Sequence, residues 1–168
     1  MQPYILWFGK FEGSSLEQLM FNPDGYRYLK RFVLKQLVED PKLCKLVART
    51  KELVSLGENP RIIVKCVCGA VASHIECCDE EADGLEFRDW LCEKCAQKAS
   101  LSRFHPVELK FSSLNKYEGA CAKRFADRLK KACGLCCPIT KEKAVTFFFV
   151  SPVVKPKSSK KMRQLCLF

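Results

Sequence analysis

Residues 62–95 read IIVKCVCGAVASHIECCDEEADGLEFRDWLCEKC, and the fold turns on how the cysteines at the two ends of this stretch are used. Cys66 and Cys68 stand at one end and Cys92 and Cys95 at the other, with 23 residues between the pairs. Two thiolates so close in sequence can both face one cation, and two such pairs complete a tetrahedral shell. Zn²⁺ suits four sulfurs because it has no redox chemistry and asks only for four-coordination. Between the pairs, IIVK is β-branched and reads as a strand entering the first turn, with Gly69 allowing a tight reversal. AVASHIE returns as a second strand, DEEADG is an acidic loop, and FRDWL is a third short strand into Cys92. CEKCAQKAS then starts a helix that carries Cys95.

This order of elements reads as a zinc-ribbon or treble-clef-like β unit. One knuckle departs from the usual spacing: a single residue separates Cys66 from Cys68, whereas two separate Cys92 from Cys95. His74, Cys77 and Cys78 therefore stay open as alternates for the fourth ligand position. The competing reading is a hairpin of buried free thiols, since unpaired cysteine packs like a small hydrophobe.

A chain of 168 residues has room for one domain or two small ones, and units of that size often lean on a metal. Twelve cysteines would suit a disulfide scaffold in a secreted chain, but MQPYILWFGKFEG has neither the basic start nor the apolar core of a signal peptide. No run approaches membrane-spanning length, so a reduced, cytoplasmic, metal-binding protein with no membrane partner is expected. Twenty-nine Lys and Arg against nineteen acids leave a net charge of +10, concentrated in 27–51 and 116–163. Such an excess points to nucleic acid, whose phosphates release counterions to any cationic surface.

The first 58 residues read as a small helical module. YILWFGKF is strand-like, Ser14 or Ser15 caps the short helix LEQLMF, and Asn22-Pro23-Asp24-Gly25 makes a turn. A helix from Tyr26 carries Leu29, Phe32 or Val33, Leu34 and Leu37 as its apolar stripe. A further helix, LCKLVARTKELVSL, stops at Gly57. Phe8, Gly9, Lys10, Phe11, Gly13, Leu16, Pro23, Gly25, Tyr26 and Leu29 together resemble the exodeoxyribonuclease X-like C-terminal domain over roughly the first 40 residues. That resemblance implies a non-catalytic module in a DNA-handling setting. Lys10, Arg27, Lys30 and Arg31 are the phosphate-contact candidates there, and Trp7, Phe11 and Tyr28 the candidate stacking rings.

Residues 59–100 form the zinc-binding unit and 101–154 a further unit of a strand, a basic helix and a second strand. HPVELKF is the first strand. YEGACAKRFADRLKKAC is the helix, with Lys123, Arg124, Arg128, Lys130 and Lys131 as its cations and Ala120, Phe125 and Leu129 as its buried side. KAVTFFFVSPVV, 143–154, reads as the second strand, central to a sheet. Cys121, Cys133, Cys136 and Cys137 offer a second metal site, for zinc or for an iron–sulfur cluster.

From Lys155 the chain becomes a flexible basic tail ending in Gln164-Leu165-Cys166-Leu167-Phe168. These five residues resemble the pentapeptide that binds the bacterial DNA sliding clamp. By that resemblance Gln164 bonds at the pocket rim, Leu165 packs at the entrance, and Leu167 and Phe168 fill the pocket.

Neither a P-loop nor a Gly-x-Ser-x-Gly elbow occurs, carboxylates are sparse outside loops, and the two histidines are isolated. The expected class is α+β. The expected role is a zinc-stabilised nucleic-acid-binding accessory protein of DNA metabolism, with DNA ahead of RNA as its ligand, recruited to the sliding clamp. One competitor is a structural subunit of a larger nucleic-acid-processing complex. Another is a metal-dependent nuclease using the acids of 79–86.

Overall fold

The computed structural model describes residues 2–33, 41–80, 84–99, 105–135 and 138–150. Helices α1 (Leu16–Leu19), α2 (Pro23–Tyr28) and α3 (Pro41–Glu58) precede a three-stranded antiparallel sheet of β1 (His74–Glu80), β2 (Gly84–Leu91) and β3 (His105–Glu108). Helix α4 (Glu93–Ala99) joins β2 to the β3 region, and α5 (Gly119–Ala132) and α6 (Lys141–Phe149) follow. The architecture is α+β, and its strand order is β2-β1-β3.

Strand β1 holds the sheet together because it pairs on both sides. Ile75 lies opposite Trp90 on one flank and Val107 on the other, and Cys77 lies opposite Phe87 and His105. Ile75 and Cys77, two apart, point the same way into the core, as strand periodicity requires. Between these positions two steps on β1 face three on β2, so β2 carries a bulge at the exposed pair Arg88–Asp89.

The N-terminal helices start where short polar side chains replace missing backbone partners. Ser15 Oγ accepts from the Gln18 amide at 3.2 Å, and Asn22 Oδ1 accepts from Asp24 and Gly25 at 3.0 and 3.2 Å. Pro23 sits in the first turn of α2, where its missing N–H costs nothing. A π-helical turn, Leu29–Val33, continues α2.

Helix α5 buries Ala122, Phe125, Ala126, Leu129 and Ala132, the spacing of one helical face. Phe125 and Phe87 lie with ring centres 5.4 Å apart, and Tyr117 meets Phe87 edge-on at 5.2 Å, which locks α5 to β2. Its C-terminus closes with the amide of Gly134 on the Lys131 carbonyl and that of Leu135 on the Lys130 carbonyl, each at 2.9 Å. This paired closure needs a left-handed residue, and Gly134 has φ +74°.

Three readings of the sequence are corrected here. Residues 143–149 are helical, not a strand: Thr140 Oγ1 accepts from the Lys143 amide at 3.3 Å, and α6 begins. Helical spacing then sends Ala144 and Val145 into the core and places Phe147 and Phe148 each 5.5 Å from Phe21, contacts worth more than the β-propensity of VTFFFV. The remaining 151–154 lie outside the described residues. YILWFGKF forms no sheet; it makes one bridge, Ile5 to Ser15, then turns at Gly9 and Gly13, both at φ +78°. IIVK likewise makes one bridge, Lys65 to Val71, and its Ile63 amide bonds the Ala132 carbonyl at the end of α5.

One buried cluster runs from Leu6 through Ala144. Phe21 meets Phe111 edge-on at 5.0 Å, so the first helices and the stretch after β3 share an interior.

Candidate metal centre and basic surfaces

Antiparallel pairing of β1 with β2 brings distant cysteines together. His74 lies opposite Leu91 and the Ser73 amide bonds the Leu91 carbonyl, so the chain just before β1 lies beside the chain just after β2. The preceding turn is closed by the Cys66 amide on the Ala70 carbonyl and the Gly69 amide on the Cys66 carbonyl, both 2.8 Å. Gly69 has φ +88°, which a side chain would oppose. Across from it, Cys92 accepts the first helical bond of α4 from Ala96 at 2.9 Å, and Cys95 stands in that helix's first turn.

The sulfurs of Cys66, Cys68, Cys92 and Cys95 all lie within 4.8 Å of one another, with Cys68 and Cys92 at 3.6 Å. A tetrahedral ion with bonds of about 2.3 Å to sulfur spaces its ligands about 3.8 Å apart, so the cage fits such an ion. Cys66 and Cys92 are buried, Cys95 is half-buried and Cys68 is exposed. The Cys68 and Cys92 backbone amides draw the Cys66 thiol down to about 6. The Cys95 amide lowers Cys92, while the Cys66 sulfur beside it drives Cys95 up to about 12. Four sulfurs without a cation cannot all ionise, and a divalent ion removes that conflict. The arrangement can hold a metal ion such as zinc.

The alternates are elsewhere. Cys77 and Cys78 lie buried along β1 and are not in the sulfur cluster. His74 turns Nδ1 to Ser73 Oγ at 2.8 Å and to the Glu93 carboxylate at 3.7 Å, tying β1 to α4. Cys121 and Cys133 are not brought together either: twelve helical steps of about 1.5 Å separate them by about 18 Å along the axis, too far to share one ion. Burial raises the Cys133 thiol to about 12. Cys136 and Cys137 lie outside the described residues, as do Gln164, Leu165, Leu167 and Phe168.

The cationic candidates divide into exposed and committed. Lys10, Lys30 and Arg31 are exposed around the first turn and the π-helical segment. Arg27 is committed: its guanidinium bonds the carbonyl oxygens of Tyr117 and Leu114 and pairs with Asp24 at 3.3 Å, tying α2 to the approach to α5. On α5, Lys123 and Lys131 are exposed, Arg124 is exposed and donates to the Leu85 carbonyl at 3.4 Å, Arg128 is half-buried, and Lys130 pairs with Asp127 at 2.9 Å. Arg124, Arg128 and Lys131 recur at helical spacing along the edge facing Glu86 and Phe87, beside a depression of about 390 Å³.

A groove of about 580 Å³ between the ends of α5 and α6, lined by Ile63, Leu135, Phe147 and Val150, was not foreseen from sequence. Reading 143–154 as a strand hid it, because only the helix turns Phe147 and Val150 toward Ile63. Among the described residues no helix is long and apolar enough to cross a membrane. No family model matches the chain, and no curated protein or solved structure does either.

Proposed function

We propose that the protein is a zinc-stabilised, non-catalytic nucleic-acid-binding accessory factor of DNA metabolism, in a replication, repair, phage or mobile-element setting. The observation that carries this reading is the convergence of four cysteine sulfurs from the two ends of one hairpin, in a chain of net charge +10. In this reading the knuckle, hairpin and first turn of α4 act as a zinc-ribbon or treble-clef-like brace. Zinc supplies four bonds that fix the knuckle against α4 and does no chemistry of its own. The braced sheet holds α5, and Lys123, Arg124, Arg128 and Lys131 meet successive phosphates. The C-terminal Gln164, Leu165, Leu167 and Phe168 recruit the sliding clamp, and the basic residues before them lie along the DNA inside it.

Duplex binding measured across salt concentrations tests the nucleic-acid part. With several phosphates neutralised, log affinity falls steeply and linearly with log salt. A flat dependence, or no binding at low salt, rejects it. Removal of Leu167 and Phe168 is expected to abolish retention on immobilised sliding clamp and to leave duplex binding intact.

A further inference from the structure

A cleft of different character from the α5 ridge lies on the N-terminal face. Lys10, Phe11, Arg27, Tyr28 and Arg31 line a cleft of about 280 Å³ together with Asp24. Phe11 and Tyr28 are half-buried and meet edge to face at 5.2 Å, and the Lys10 ammonium stands 5.4 Å from the centre of the Phe11 ring. The turn seats itself on Tyr28 because residue 9 is glycine. A Cβ there would lie 2.4 Å from the Tyr28 hydroxyl, and φ is +78°. Trp7, just before this turn, is 43% exposed and is steadied by Phe8 at 5.4 Å and Tyr4 at 6.2 Å. The one acid lining the cleft, Asp24, is paired with Arg27, which leaves the exposed cations Lys10 and Arg31 to set the local field.

We infer that this cleft takes an unpaired nucleotide of a single strand, with the base against Phe11 and Tyr28, the phosphate between Lys10 and Arg31, and Trp7 under the neighbouring base. The inference rests on the nucleic-acid reading above and assigns it a strand state. Base faces are hidden inside a duplex, so a ring can stack only on an unpaired base. The α5 ridge has the opposite make-up: Lys123, Arg124 and Lys131 are exposed and Arg128 half-buried, whereas Phe125 and Phe87 are buried. That ridge suits a duplex backbone. The two surfaces together match a junction between paired and unpaired strands.

The test uses the full zinc-loaded chain with two labelled probes, an oligothymidylate of about 15 nucleotides and a duplex of equal length. In anisotropy titrations, Lys10→Ala with Arg31→Ala is expected to weaken single-strand binding by about tenfold or more and duplex binding far less. Arg128→Glu with Lys131→Glu should do the reverse. Trp7→Ala, at an exposed position outside the buried cluster, should weaken the single strand alone. Trp7 fluorescence should be quenched by oligothymidylate, and Trp7→Phe should remove the quenching. Single-strand affinity unchanged in both the Lys10/Arg31 and Trp7 variants would overturn the inference while leaving the duplex reading standing. So would equal losses on both probes. Failure of the wild-type chain to bind either probe would overturn both.

Discussion

Arg49 sets its guanidinium 2.9 Å from the carboxylate of Glu17, a side chain with no exposure to solvent. The same group lies over the Phe149 ring, 3.5 Å from its centre, and the other Glu17 oxygen accepts from the Tyr4 amide at 3.2 Å. A single buried ion pair therefore joins the N-terminal strand-like segment, α1, α3 and α6. Arg49→Ala leaves that carboxylate buried and uncompensated, and a loss of about 3–5 kcal/mol is expected. Glu17→Gln combined with Arg49→Met should recover part of it. Denaturant melts of the three variants measure this, and an Arg49→Ala chain as stable as wild type would contradict it.

Gly134 closes α5 in the left-handed region, and a Cβ there would meet Ile63 Cδ1 at 2.5 Å. Gly134→Ala is expected to cost more than about 1 kcal/mol, from backbone strain and from the displaced Ile63. Ile63→Ala in the same chain should relieve the second part only. The two melts separate strain from crowding.

Cys133 is buried with its thiol held up at about 12, whereas Cys44 on α3 is exposed. In the native chain, with zinc supplied, an alkylating reagent near neutral pH should label Cys44 and spare Cys133 until the chain unfolds. Peptide mapping after timed labelling reads this. Early modification at Cys133 would mean that α5 is not packed as described.

The sulfur cage carries a pH signature. Without metal, the Cys66 thiol is lowered from its ordinary value of 9.0 to about 6, so the stability it contributes is present above the ordinary value and fades as pH falls through about 6. Cys95 is raised to about 12, so its contribution is present below the ordinary thiol value and is lost as pH rises through about 12. Zinc must displace the Cys95 proton near neutral pH and compete with protons at Cys66 in acid. Calorimetry in buffers of different ionisation enthalpy should therefore register proton release on zinc addition at neutral pH. Zinc affinity should fall progressively toward pH 5.

How far these features can be read from the chain follows from their range. Cys66, Cys68, Cys92 and Cys95 are readable because each pair is local and the alternation of His74 to Cys77 implies the hairpin that joins the pairs. Helix α5 is readable from a strong apolar face, and its extent, Gly119–Ala132, lies within the expected 117–133. Residues 143–149 misled because VTFFFV has strand propensity, while its helical partners, Phe21 and Phe111, are remote in sequence. Arg27 looked like one more phosphate contact, and only the arrival of Tyr117 and Leu114 turns it inward. Cys121 and Cys133 looked like one cluster until an unbroken helix was placed between them. Local chemistry was legible, and long-range partners were not.

The most direct measurement of the central claim is metal content per chain, read together with the melting temperature, in protein purified under reducing conditions. The expected result is one zinc per wild-type chain, retained in Cys77→Ser and Cys78→Ser and lost in Cys66→Ser and Cys95→Ser, with a large fall in melting temperature on chelation. A chain that holds no metal and melts just as sharply, or one that keeps its zinc when Cys66 and Cys95 are both replaced, would contradict it.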